Sequence, residues 1–141
     1  MKQRGMVTFV FDDGYQAVFE EVVPLLDQYH LPAVFAVPLQ SEVVARSEGE
    51  PTLPVQKWLT LTGAGHEIAA HSVSHRNLTT LSPTELATEL AEPARELQAT
   101  TLVYPGGAHN ETVVQAAKQF YKAARTVERG FERKRPTNPW R

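Results

Sequence analysis

The chain has 141 residues, of which 42% are hydrophobic and 21% charged, with a formal net charge of -2. This composition excludes a disordered chain and a broadly basic surface of the kind that nucleic-acid binding needs, so no nucleic-acid partner is expected. Cysteine is absent, which excludes disulfides, thiolate metal sites and cysteine nucleophiles. The length predicts one domain, residues 1–141, with a single core.

The first half of the chain predicts two buried strands separated by a helix. Met6 to Phe11 is a nearly continuous apolar run, typical of a strand in a parallel sheet. Apolar residues recur at helical spacing from Gln16 to Tyr29, where Pro24 predicts a kink or a split. Ala33 to Val37 predicts a second buried strand. Pro38 to Pro54 is expected to be a loop with one helical turn.

The second half continues the alternation of strands and helices. Ser82, with Pro83 after it and Glu85 three residues on, predicts the start of a helix that reaches about Gln98 and is disturbed at Pro93. The other predicted elements are helix Val55–Thr62, strand His66–Ala70, strand Thr101–Tyr104, helix Glu111–Phe120 and strand Tyr121–Ala124.

Neither end of the chain predicts a binding function. The basic N-terminus is followed by only six mostly apolar residues before Asp12, too few for a signal peptide or a membrane span. The ending from Thr137 to Arg141 resembles the approach to a further strand that the chain does not contain. The C-terminal basic residues are interpreted as a solvated terminus: Arg129, Arg133, Lys134, Arg135 and Arg141. Compartment and oligomeric state stay open.

Polar segments follow three of the predicted strands directly. Strands that alternate with helices predict an α/β fold with a parallel sheet or barrel, in which active sites gather at the carboxyl ends of the strands. Asp12-Asp13, the pair His71 and His75, and Pro105-Gly106-Gly107 all lie at such ends. We therefore expect these three distant segments to meet on one face.

The residue types at this face suit a catalytic metal centre. His71 and His75 are four residues apart, one helical turn, so both imidazoles can point to the same spot. Asp13 adds a carboxylate ligand, and Asp12 beside it can serve as a base. Two histidines and one carboxylate leave a coordination position open for water or substrate. Without sulfur ligands, the site favours Zn, Co, Ni, Mn or Fe over a soft metal.

Three motifs carry a resemblance to a known family, the polysaccharide deacetylases, also called NodB-homology or carbohydrate esterase family 4 domains. They are Phe11–Gly14 (FDDG), Gly65–His75 (GHEIAAHSVSH) and Tyr104–Gly107 (YPGG). The resemblance runs from about residue 6 to residue 127. It implies a distorted or incomplete (β/α) barrel, and removal of acetyl groups from chitin, peptidoglycan or poly-N-acetylglucosamine, so that an acetylated glycan is the expected partner.

Roles follow from the resemblance by position. Asp12 looks like the general base, and Asp13, His71 and His75 look like the ligands of a divalent metal, with Zn as first choice and Co, Ni or Mn as alternatives. We further expect the Gly106 amide to donate to the reaction oxyanion. Tyr104 and Pro105 are expected to contact substrate, and His109 is a candidate acid or substrate contact.

The chain also departs from the family pattern. Many members have an arginine at the position of Val103, where it steadies the base, and an aromatic at the position of Gly106. The late histidine that protonates the leaving amine is absent, because no histidine follows His109. Two alternatives therefore stay open: a metal-dependent amidohydrolase acting on a non-sugar N-acyl substrate, and a module that binds metal or glycan without turnover.

Overall fold

The protein is an α/β fold built on five parallel strands that curl into a half-barrel, which confirms the predicted fold class. A computed structural model describes residues 7–128 and 138–140, so the C-terminal basic residues and residues 1–6 lie outside the described residues. The sheet order is β1-β2-β3-β4-β5. The strands are β1 Phe9–Phe11, β2 Ala33–Val37, β3 Glu67–Ala70, β4 Thr101–Val103 and β5 Ala123–Arg125.

Every strand pair in this sheet is parallel, so all carboxyl ends emerge at one edge. The register pairs Phe11 with Phe35 and Val37 with Ala70. Only Ala70↔Leu102 pairs β3 with β4, whereas β4 pairs with β5 over three positions. The polar segments after β1, β3 and β4 are therefore brought to the same edge by the ladder itself.

A helical segment links β1 to β2 and contains one wide turn. The π-helical stretch Val18–Val22 leads directly into helix α1, Val23–Gln28. The Val23 N–H donates to the carbonyl of Val18, five residues back. Pro24 has no N–H for the usual bond to the residue four before it, and the wide turn directly precedes it. The predicted kink or split at Pro24 thus takes the form of a π turn without a break in the helix.

The segment between β2 and the next helix is more ordered than predicted. Helix α2, Ser41–Glu48, has slightly more than two turns where a loop with one turn was expected. Gly49, with φ of 77°, ends it in the left-handed conformation that suits glycine. The prediction of a loop was based on the polar composition of this segment. Two features stabilise the helix instead: Val44 is fully buried, and the Ser41 hydroxyl donates to the Leu53 carbonyl over 2.8 Å.

The remaining helices match their predicted positions with shorter ends. They are α3 Val55–Leu59, α4 Pro83–Glu96 and α5 Glu111–Ala117. The predicted capping box is present, because the Ser82 side chain accepts from the Glu85 N–H and the Glu85 side chain accepts from the Ser82 N–H. Helix α4 runs through Pro93 without ending, so the expected disturbance there is not seen.

Two apolar clusters cover the two faces of the sheet. The larger cluster joins alternate strand residues such as Phe35 and Leu102 to the helices. Trp58, 1% exposed, packs there against Phe35, with ring centroids 5.2 Å apart. The opposite face carries a cluster of small residues, Ala36, Ala69 and Val103. This division follows from the alternation of side chains along each strand.

His66 directly precedes β3 and has a structural role. Its Nδ1 accepts the Ala33 N–H over 3.2 Å, and its Nε2 lies 3.1 Å from Asp27. The ring is buried and ties β2 to β3 at the amino end of the sheet. Among residues 7–128 and 138–140, no helix has the length and apolar character needed to cross a membrane.

Leu90→Ala is expected to lower the free energy of unfolding by about 2–5 kcal/mol, because Leu90 is fully buried on α4 and its removal leaves a cavity. Denaturant unfolding followed by circular dichroism measures this. Leu25→Ala is the matched control, since Leu25 is 54% exposed on α1. Equal losses for the two variants would contradict the described packing of α4.

Candidate metal centre

Three side chains from two strand ends converge on one point. Asp13 follows β1, and His71 follows β3. Asp13 Oδ1 lies 3.3 Å from His71 Nε2 and 3.0 Å from His75 Nε2. The three ligand atoms are all within 4.8 Å of one another, so this group could hold a metal ion. His71 is buried, while Asp13 and His75 are partly exposed, which leaves one side of the point open to solvent.

A sharp turn after β1 presents the two aspartates. Asp13 has φ of 74° and Gly14 φ of 75°, so two successive residues are left-handed. Aspartate tolerates this conformation better than most side chains. Gly14 also leaves little room for a side chain, because an added Cβ would lie 3.1 Å from Val37 Cγ1 and 3.3 Å from Trp58 Nε1. The glycine therefore lets the turn sit directly on the core.

The segment that carries the two histidines is a loop. The spacing was explained by one helical turn, and this explanation is wrong, although the two side chains do meet. Ser72 and His75 are left-handed, with φ of 64° and 55°. The Ser72 hydroxyl is buried and accepts the His75 N–H over 2.9 Å. These two reversals bring the imidazole centroids to 4.8 Å.

The tautomer of His71 is determined by a backbone carbonyl. His71 Nδ1 lies 2.7 Å from the Val103 carbonyl oxygen, which can only accept, so Nδ1 carries the hydrogen. In the neutral ring, Nε2 is then a bare lone pair that faces the carboxylate of Asp13 at 3.3 Å. Two acceptors at this distance repel each other, and a positively charged group between them would remove the repulsion. A histidine that donates to a carbonyl through its other nitrogen is the usual partner of a bound metal, so the residues fit a cation.

The two imidazoles keep the Asp13 carboxylate ionised. Burial alone raises the pKa of Asp13, but contact with His71 and His75 outweighs it and holds the pKa well below its usual range. Contact with Asp13 raises the pKa of His75 above its usual value. Asp13 Oδ1 nevertheless lacks a well-aligned hydrogen-bond partner in the part of the chain that is described. The carboxylate is therefore ionised and available as a ligand.

The carboxylate of Asp12 faces a different partner. Asp12 Oδ2 lies 3.4 Å from Arg125 Nη1, while its buried Oδ1 has no hydrogen-bond partner among the described residues. Arg125 ends β5 and is the register partner of Val103, where many family members have an arginine. The guanidinium thus reaches Asp12 from β5, the strand beside β4. No motif in the sequence pointed to Arg125, although its place at a strand end was a usable signal.

Two other polar side chains near Asp13 were also missed. The Tyr15 hydroxyl donates to Glu48 Oε2 over 2.7 Å, which joins the turn after β1 to the end of α2. Burial, followed by the hydrogen bond to Glu48, raises the pKa of Tyr15 above its usual value. Because α2 was not predicted, no pattern in the sequence pointed to this pair.

The segment after β4 forms a 3₁₀ turn, Pro105–Gly107. Gly106 is exposed with φ of 59°, and its predicted role as an oxyanion contact stays a prediction. The Tyr104 and Pro105 side chains are buried and pack inside the protein, so their predicted substrate contacts also stay predictions. Burial raises the pKa of Tyr104 to about 12.

His109 lies beneath this turn. Its ring stacks on Tyr104 with centroids 5.2 Å apart, its Nδ1 lies 3.1 Å from the Gly107 carbonyl and its Nε2 lies 3.9 Å from Glu128. Among the described residues, no hydrogen bond or ion pair joins His109 to Asp12, Asp13, His71 or His75. Its role as acid or substrate contact stays a prediction.

Comparison with known proteins relates this chain to one family. The sequence profile described as "Polysaccharide deacetylase" matches residues 2–123. A curated protein of Bacillus subtilis (strain 168), YxkH, named provisionally as a polysaccharide deacetylase, is 27% identical over 132 residues, which cover 88% of this chain and 45% of that protein.

Solved structures show the same fold. The Streptococcus pyogenes deacetylase PplD in complex with acetate superposes with a TM-score of 0.77 at 23% identity, covering 92% of this chain and 59% of that one. A carbohydrate esterase family 4 pseudoenzyme of Bacillus anthracis, BA3943, gives 0.70 at 18% identity, covering 88% and 43%. The chain thus spans about half the length of these relatives.

Asp13→Asn and His75→Gln are each expected to weaken zinc binding by more than the roughly 10–100-fold loss typical of changes beside a metal ligand, because each removes a converging ligand atom. Competition with a chromophoric chelator measures the dissociation constant. His30→Gln is the control, since His30 is exposed and outside the group. Unchanged affinity in both ligand variants would contradict the site.

Proposed function

The chain belongs to the polysaccharide deacetylase family, and we propose that it is a metal-dependent hydrolase that removes N-acetyl groups from an amino-sugar polymer or oligomer. The observation that carries this proposal is the convergence of Asp13, His71 and His75, with the second carboxylate of Asp12 directly beside them. A catalytic site for acyl transfer to water needs a polarising centre and a base in reach of each other. The chain supplies both from adjacent residues.

We propose distinct roles for the residues of the site. Asp13, His71 and His75 would hold a divalent cation, with zinc as first choice and cobalt, nickel or manganese as alternatives. Such a cation would polarise an acyl carbonyl and lower the pKa of a bound water towards about 7. Asp12 would take the proton from the attacking water, and Arg125, within ion-pair distance of its carboxylate, would direct it. The Gly106 amide donates to the oxyanion.

The proposed substrate class is an acetylated glycan of the chitin, peptidoglycan or poly-N-acetylglucosamine type. Family membership supports it, as does the complex of the structurally similar deacetylase PplD with acetate, the product of deacetylation. The open side of the site, at the partly exposed Asp13 and His75, suits a substrate too large to be enclosed. A metal-dependent amidohydrolase acting on a non-sugar N-acyl compound is the alternative within enzymes.

A non-catalytic module that binds metal or glycan is the second candidate. Two observations favour it: the structural neighbour BA3943 is a pseudoenzyme, and His109 is engaged with Gly107 rather than with the metal group. In this case, the group of Asp13, His71 and His75 would bind metal, but no water would be activated and Asp12 would not act as a base. Replacing Asp12 separates the two candidates.

Asp12→Asn is expected to lower acetate release from N-acetylglucosamine oligomers by about 10²–10⁴-fold, the usual contribution of a general base, while zinc affinity is kept. Acetate is quantified with an enzyme-coupled assay on metal-loaded protein. Asp27→Asn is the control, because Asp27 lies at the opposite edge beside His66. No release by the unaltered chain with zinc, cobalt, nickel or manganese would contradict the deacetylase proposal and leave the non-sugar amidohydrolase and the binding module.

Arg125→Ala is expected to slow acetate release several-fold, since a half-exposed ion pair is worth at most about 1 kcal/mol, roughly a fivefold change in rate. Zinc affinity should stay unchanged, and Arg125→Lys should recover part of the rate because it keeps the charge. Arg95→Ala, which removes an exposed pair with Glu96 on α4, is the control. A rate for Arg125→Ala equal to that of the control would contradict the role of Arg125.

A further inference from the structure

The loop His71–His75 is stabilised mainly by hydrogen bonds to groups outside it. It has no helical hydrogen bonds, and two of its residues are left-handed without being glycine. Such a backbone persists only where surrounding groups determine it. On one side, the Leu39 and Gln40 N–H groups after β2 donate to the carbonyls of Ser72 and Val73, over 3.2 and 2.8 Å. The Ser72 hydroxyl accepts the His75 N–H from within the loop, so the N–H groups of Val73 and Ser74 must be held from elsewhere.

A buried carboxylate on α4 holds them. Glu89, 6% exposed, accepts the Val73 N–H over 2.9 Å and the Ser74 N–H over 3.0 Å, both at Oε2. Its other oxygen, Oε1, accepts the Ser74 hydroxyl. All three donors belong to the two residues that lie between Ser72 and His75. Glu89 therefore holds the loop at the point where the two ligands must be aimed.

Packing alone does not explain a glutamate at this position. Burying a charge is costly unless hydrogen bonds satisfy it, and an apolar residue of similar size would fill the space without that cost. Within residues 7–128 and 138–140, no basic group lies within ion-pair distance of Glu89. The carboxylate is balanced by loop donors instead. Both carboxylate oxygens of Glu89 accept hydrogen bonds from the loop, whereas a glutamine would place a donor at one of them.

We propose that Glu89 is a positioning residue for the metal centre, which sets the geometry of His71 and His75 through the backbone of Val73 and Ser74. The inference rests on the proposed metal site and goes beyond it. It assigns the placement of two metal ligands to a residue on α4 that contacts no ligand atom. Helix α4 is itself fixed by its capping box at Ser82 and by an exposed pair between Glu85 and Arg76, directly after the loop.

Zinc affinity of Glu89→Gln is the test, measured by chelator competition on the full chain at a temperature well below its melting point. We expect the dissociation constant to rise roughly 10–100-fold, as for other residues that support metal ligands, and the visible spectrum of the cobalt-loaded protein to change. Ser74→Ala removes one of the three donors and should give a smaller rise. Glu96→Gln, which removes the same charge from an exposed site on α4, should give none.

The outcomes separate positioning from simple stability. A purely structural role lowers the melting temperature of Glu89→Gln but leaves the zinc affinity and the cobalt spectrum of the folded fraction unchanged, and that result would overturn the proposal. If Glu89→Gln does not fold, unchanged affinity in Ser74→Ala overturns it equally. Failure of the unaltered chain to bind zinc would reject the metal site as well, whereas normal binding by both chain and variants rejects only the role of Glu89.

Discussion

The hydrogen bond from His71 Nδ1 to the Val103 carbonyl is the contact on which the site depends. It continues the β3–β4 pairing, which consists of the single register pair Ala70↔Leu102, with a side chain. It also decides which imidazole nitrogen carries the hydrogen, and so leaves Nε2 free to face Asp13. Because the same imidazole joins two strands and faces Asp13, the candidate metal centre is part of the fold.

The sequence indicated the candidate metal ligands, but it did not indicate the residues that position the ligands and Asp12. Asp13, His71 and His75 could be found because each lies at or just after a strand end, and parallel strands place such ends together. The helical explanation of the histidine spacing was wrong, since local spacing does not reveal a loop held by distant groups. Arg125 is 113 residues from Asp12, and Glu89 is 15 residues from Ser74. Contacts of this kind follow from packing, which no short motif records.

Two neighbouring carboxylates have been given different surroundings. Asp13 faces two imidazoles, and Asp12, the next residue, faces a guanidinium from β5. The left-handed turn at Asp13 makes this division possible, because it sends consecutive side chains to different neighbours. Environments that differ in this way are how proteins assign separate tasks to chemically identical groups. Here, the assignment follows from one backbone turn and from one arginine at the end of β5.

The indole of Trp58 lies directly under that turn, and its Nε1 has no hydrogen-bond partner among the described residues. It is packed edge-on against Phe19, with centroids 5.3 Å apart, and is almost wholly shielded from water. Indole fluorescence depends on the polarity and hydrogen bonding of the ring. The turn that carries Asp12 and Asp13 therefore rests on an intrinsic optical probe, and a shift of the turn on ligand binding changes the emission of Trp58 without any added label.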